Sequence, residues 1–124
     1  MTLAYWCVLV AALMPIVFAG IAKSAPGYDN RDPRAWLAQR EGMHARANAA
    51  QLNCHEAFPP FAAAVVIAHL AGGAEQGTLD ALAGSWLLLR VAYGVAYLTD
   101  RDLLRSLLWT AALGVVIALF VVAA

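Results

Sequence analysis

Apolar residues fill this chain in four runs separated by short polar breaks. The first, Leu3 to Ala22, is long enough to cross a bilayer as a helix, which takes ~20 residues. A cleaved leader is the rival reading of this run. It lacks a basic start and its apolar stretch is long, so a retained helix is expected, kinked at Pro15. The second apolar run, Ala57 to Ala71, is too short to span unless its helix starts upstream near His44. Gly72, Gly73 and Gly77 in "GGAEQG" then end it. The third run is Leu79 to Leu98, and the fourth is Leu103 to Ala124. The pattern therefore predicts helices over about 3–22, 44–71, 79–98 and 103–124, in one domain covering residues 1–124. Thr99 or Asp100 is placed to cap the last of them. The long first connection contains "PRAWLAQREG", which predicts a short interfacial helix with Trp36 at headgroup level.

Composition fixes the surroundings of these helices. The chain is 63% hydrophobic and 13% charged. That charged share is about half the usual globular value. A chain of 124 residues cannot hide so much apolar surface inside a water-soluble fold. The predicted fold class is thus all-α, an integral membrane four-helix bundle in contact with the lipid bilayer. Eight basic residues balance eight acidic ones, so no basic excess points to nucleic acid. Cys7 and Cys54 lie in apolar or helical contexts and read as packing residues.

The placement of charge sets the expected orientation. Lys23, Arg31, Arg34, Arg40 and Arg46 surround the first connection, and Arg101 and Arg105 surround the third. The second connection carries Glu75 and Asp80 without Lys or Arg. Connections one and three are therefore expected in the cytoplasm, with both termini on the opposite side.

The polar residues of the second segment are the unusual ones. Positions three and four apart share a helix face. Arg46, Ala49, Asn53, Glu56 and Pro60 make one stripe, while Asn48, Gln51 and His55 lie toward the opposite side. Lipid solvates neither set, so this helix should be enclosed by its own bundle and by a second subunit. The third segment offers a matching stripe of Arg90, Tyr93 and Tyr97. A Glu56–Arg90 pair would spare both charges from lipid. Its bland reading is a structural ion pair; its functional reading is a polar pocket for a charged ligand. His44 and His55 have no partner at convincing metal-ligand spacing, and no metal site is expected. His69, near the far end of the segment, reads as interfacial. No Ser-His-Asp set, phosphate loop or Cys-x-x-Cys is present.

Two motifs carry a resemblance. "AQLNCHEAFPPF", Ala50 to Phe61, resembles the second-helix signature of the MAPEG family, the membrane-associated proteins in eicosanoid and glutathione metabolism. "RVAYGVAY", Arg90 to Tyr97, resembles that family's third-helix pattern R-x-x-Y-x-x-x-Y. Helix order, length and the long first loop agree, so the resemblance covers essentially the whole chain. "NRDPRAWL" and "RANAAQLN" look most like the small bacterial members, which implies a bacterial inner membrane. The family implies a homotrimer with glutathione bound as co-substrate between subunits, near the cytoplasmic side. Carried over by motif position, Gln51, Asn53, Glu56, Arg90, Tyr93 and Tyr97 would contact glutathione. Its chemistry there is attack by a thiolate, which a nearby cation favours. The leukotriene-synthase branch carries an arginine seven residues after the second tyrosine, where this chain has Leu104. Arg101 and Arg105 are the neighbouring candidates for that catalytic cation. The branch also has an arginine and a tyrosine where Ala49 and Ala57 stand, and Arg46, one turn below Ala49, is the candidate substitute.

The resemblance implies a glutathione transferase or peroxidase acting on a lipophilic small molecule. Three alternatives compete with it: a catalytically silent ligand-binding member, an accessory subunit held among other membrane subunits, and a small transporter. The last has least support, because neither a repeat nor a pair of broken helices is visible.

Overall fold

The computed structural model describes all 124 residues. It is entirely helical, with α1 Leu3–Lys23, α2 Pro33–Ala38, α3 Gly42–Ala71, α4 Gln76–Leu98 and α5 Asp102–Ala123. Four of these helices, all but α2, are long and apolar enough to cross a membrane. No more than 33% of any such span is buried inside the chain. Leu13, Ile16, Leu88, Leu107 and Ile117 are among the large apolar side chains left on the outside. A surface of that kind is solvated by hydrocarbon rather than by water.

The chain meets the sequence at most breaks and departs from it at a few. α3 starts at Gly42 and takes the whole polar stretch into its first turns. It ends at Gly72, whose left-handed backbone (φ 71°) lets its N–H reach the Ala68 carbonyl. α4 begins at Gln76, ahead of the expected Leu79. α1 continues through Pro15, and α3 through Pro59 and Pro60. The expected cap of α5 is not formed. Thr99 instead donates its hydroxyl back to the Val95 carbonyl at 2.8 Å, closing the end of α4. A hydroxyl in the last turn finds a free carbonyl nearer than the next helix's N–H groups. α2 forms where "PRAWLA" stands, with Asp32 capping it and Pro33 in its first turn. Its Trp36 donates to the Gly27 carbonyl at 3.0 Å and carries the Arg40 guanidinium 3.8 Å over its ring.

Small residues bring the spanning helices together. α1 buries Ala4, Cys7, Ala11, Met14, Phe18 and Ala22, a stripe of three- and four-residue steps. α3 answers with Ala47, Ala50, Cys54, Phe61, Ala64 and Ala68. Alanine at these positions lets the two backbones approach closely. α1 packs on α3 and α4, and α5 packs on α4 and α3, so α1 and α5 stand across the bundle from each other. Both cysteines are free and buried, in separate packing clusters. His69 sits in the last turn of α3. It stacks on Tyr5 at 4.3 Å, and its Nε2 lies 3.2 Å from the Thr2 hydroxyl. Asp80 closes the same corner by accepting the Ala4 N–H at 2.8 Å. That carboxylate does the work of an N-cap for α1 from another helix.

Candidate functional site

The expected ion pair between Glu56 and Arg90 is replaced by a relay. Asn53 and Glu56 lie three apart on α3 and so share a face. Asn53 Nδ2 donates to Glu56 Oε2 at 3.2 Å, while its Oδ1 accepts from Arg90 Nη2 at 2.7 Å. The amide can do both because it carries a donor and an acceptor side by side. The two charges are thus joined through a neutral group.

Arg90 is 1% exposed, the most buried charged residue of the chain. Its guanidinium lies 4.1 Å from the Tyr93 ring centre, in cation–π range. Tyr93 meets Tyr97 edge-on at 5.7 Å. Arg105, from α5, lies 4.3 Å over Tyr97. Glu56, Asn53, Arg90, Tyr93, Tyr97 and Arg105 therefore form one continuous chain of contacts across α3, α4 and α5. The sequence assembles it by simple spacing. Arg90, Tyr93 and Tyr97 are one face of α4, and Arg105 is the first inward-turned cation after the α4–α5 turn. Asp100 makes that turn tight, with a left-handed backbone (φ 58°) uncommon outside glycine.

Other expected site residues go elsewhere. Arg46 Nε donates to the Leu98 carbonyl at 3.2 Å, the acceptor end of α4, where a cation also meets the helix dipole. Gln51 is partly buried on another face of α3, and its Oε1 is buried without a hydrogen-bond partner. Arg101 is exposed, and its backbone N–H bonds to the Ala96 carbonyl. Of the two arginines proposed beside the thiol, only Arg105 reaches the contact chain. Leu104, in the position of the family's arginine, is 44% exposed. His55 and Glu56 are both exposed on the single chain, on the helix that the sequence expects a second subunit to cover.

Two cavities adjoin the contact chain. A polar one of about 260 Å³ is lined by Asn53, Tyr93, Arg105, Ser106, Trp109 and Thr110. An apolar one of about 150 Å³ lies deeper between α3 and α5, against Trp86, Arg90 and Trp109. Trp86 and Trp109 were not expected from the sequence. Trp109 had a legible signal, standing four residues after Arg105 and hence on its face. Trp86 had the same relation to Arg90.

The arrangement offers a carboxylate, two guanidiniums, an amide and phenols around a cleft open beside an apolar cavity. It suits a ligand with both anionic and cationic ends. No match was found among curated proteins or among solved structures. The family profile described as "MAPEG family" matches residues 3–124, a span that includes all four membrane-crossing helices and every residue of the contact chain. The chain belongs to the MAPEG family.

Proposed function

We propose that this protein binds glutathione at the Glu56–Arg105 contact chain and uses it on lipophilic electrophiles or lipid hydroperoxides. Membership of a family of membrane proteins with glutathione-related functions supports the general reading. The observation that carries the specific one is Arg90. A guanidinium 1% exposed, hydrogen-bonded to a neutral amide rather than a carboxylate, retains charge for an anion. Glutathione supplies two carboxylates, one ammonium and a thiol. Arg90 suits a carboxylate, and Glu56, exposed at the cleft rim, suits the ammonium. Tyr93 lines the polar cavity, and Tyr93 and Tyr97 each carry one of the two arginines over their rings. Arg105 is the cation available to favour a thiolate over a thiol. The proton leaves to water through the polar cavity, and sulfur is then free to attack the electrophile.

A homotrimer fits two further observations. The buried Gln51 Oε1 has no donor within the chain, and a ligand or neighbouring copy would provide one. His55 and Glu56 would gain the cover that lipid cannot give. Charge placement supports the first and third connections facing the cytoplasm of a bacterial inner membrane. The exposed Leu104 favours a second reading, a member that binds glutathione or lipid without turnover.

Thermal stability of the detergent-solubilised protein with millimolar glutathione tests binding. A rise in melting temperature is expected for wild type, and a smaller or absent one for Glu56→Gln. An unchanged melting temperature for wild type rejects the proposal. Turnover of a generic electrophile, lost in Arg105→Leu while binding persists, separates the enzyme from the silent member.

A further inference from the structure

α1 and α3 reach the first connection at different heights. α1 has 21 residues and is about 31 Å long, close to the ~30 Å of bilayer hydrocarbon. Its last residue, Lys23, therefore stands at the hydrocarbon boundary. α3 has 30 residues and is about 45 Å long. Its apolar run, residues 57–71, lies at the far end, so the surplus of about 15 Å is its polar start. α2 fills the step between the two. Leu37 packs with Ala22 of α1 and Ala47 of α3, which pins the short helix over the end of α1 and beside the first turns of α3. That layer is where phospholipid headgroups lie.

Two cations and two rings meet in this layer. Lys23 Nζ lies 5.3 Å from the Tyr28 ring centre. Tyr28 meets Trp36 edge-on at 5.1 Å, and the Arg40 guanidinium covers Trp36 at 3.8 Å. All four side chains are half-buried. Neither cation forms an ion pair. Asp29 and Asp32 instead accept the backbone N–H groups of Arg31 and Ala35. Glu41 is exposed at the start of α3. An aromatic face holds a cation without cancelling its charge, as a carboxylate would. Arg40 uses only Nε on the protein, donating to the Trp36 carbonyl at 3.1 Å. Its two Nη groups remain as a fork.

We propose that Lys23 and Arg40, flanking the Tyr28–Trp36 pair, bind the phosphodiester headgroup of one anionic phospholipid in the leaflet beside the first connection. The Arg40 fork takes two phosphate oxygens, and Lys23 adds a point charge. The rings sit at the level of the glycerol and its esters, as aromatic side chains do at both membrane boundaries. A headgroup carrying an ammonium fits less well, because the aspartates of the connection are already taken by backbone N–H groups. The bound lipid ties the first connection down on the ends of α1 and α3. This site shares no residue with the Glu56–Arg105 contact chain and does not rest on the glutathione reading.

The test is native mass spectrometry of the detergent-solubilised protein, titrated with phosphatidylglycerol or with phosphatidylcholine of the same acyl chains. Wild type is expected to bind one phosphatidylglycerol per chain, at an apparent dissociation constant at least about tenfold below that for phosphatidylcholine. Arg40→Gln should bring the two lipids to within about twofold of each other. If that variant does not fold, Lys23→Gln removes the other cation and should weaken phosphatidylglycerol about fivefold. Arg34→Gln removes the same charge from an exposed position of α2 and should change the affinity by less than about twofold. Equal binding of the two lipids by wild type overturns the proposal. So do equal losses in Arg34→Gln and Arg40→Gln, which make the attraction a diffuse surface charge. Displacement of the lipid by millimolar inorganic phosphate also overturns it, in favour of a site for soluble anions. Unchanged lipid binding with a lower melting temperature in Arg40→Gln does the same, reducing the cluster to a staple of the fold.

Discussion

At the end of the bundle that carries the chain termini, 14 buried apolar residues from all four spanning helices form one cluster. At the end that carries the first and third connections, buried apolar residues fall into clusters of four and three. α3 passes through both ends. Its outer half contributes Phe61, Ala64, Val65 and Ala68, all 0% exposed. Its inner half contributes Asn53 and Glu56 to an open cleft. Close packing and polar cleft divide the molecule between them, because a polar side chain left facing an open cavity cannot also fill a void. The packed end holds the helices at fixed spacing, and the open end uses that spacing.

The contrast makes its strongest prediction at Phe61. Phe61→Ala removes a fully buried ring and its stack on Trp86 and should cost about 3–5 kcal/mol. Unfolding in mixed micelles measures it, and a loss near zero would mean the packed end does not carry the stability. Arg90→Met tests the open end. It removes a buried charge in favour of an apolar chain of similar length but leaves Asn53 Oδ1 without its donor, so stability should fall by about 1–3 kcal/mol. Glutathione affinity should fall by at least ~2 kcal/mol, or roughly 30-fold. A large loss of stability with little loss of affinity would make Arg90 structural and blur the division.

Gly94 probes the border between the two ends. A Cβ there would collide with the Phe18 ring, which joins α1 to α4. Gly94→Ala should therefore cost about 2 kcal/mol through overpacking, and Phe18→Leu should recover part of it. Additive losses in that pair would mean the helices do not meet there. The smallest effect belongs to the turn. Asp100 adopts φ 58°, so Asp100→Gly should gain about 0.5–1 kcal/mol. If that variant instead lowers turnover at unchanged binding, the tight turn is there to aim Arg105.

The sequence by itself determined the helices, their membrane character and most members of the contact chain. Hydrophobic runs of spanning length leave the backbone no alternative to helix in lipid, since every N–H and C=O must be satisfied within the segment. Helical spacing placed Asn53 with Glu56, and Arg90 with Tyr93 and Tyr97, before any coordinates. Tertiary structure decided how those groups pair. Spacing within one helix cannot say that Asn53 stands between Glu56 and Arg90, or that Arg46 turns to the end of α4. It cannot say that His69 meets Tyr5, because each of these contacts depends on the rotation of one helix against another. It also cannot show a cavity, which exists only where three helices fail to touch. The alanines of α3 and α5 leave that gap, and the stacked pair of Phe61 and Trp86 keeps it open.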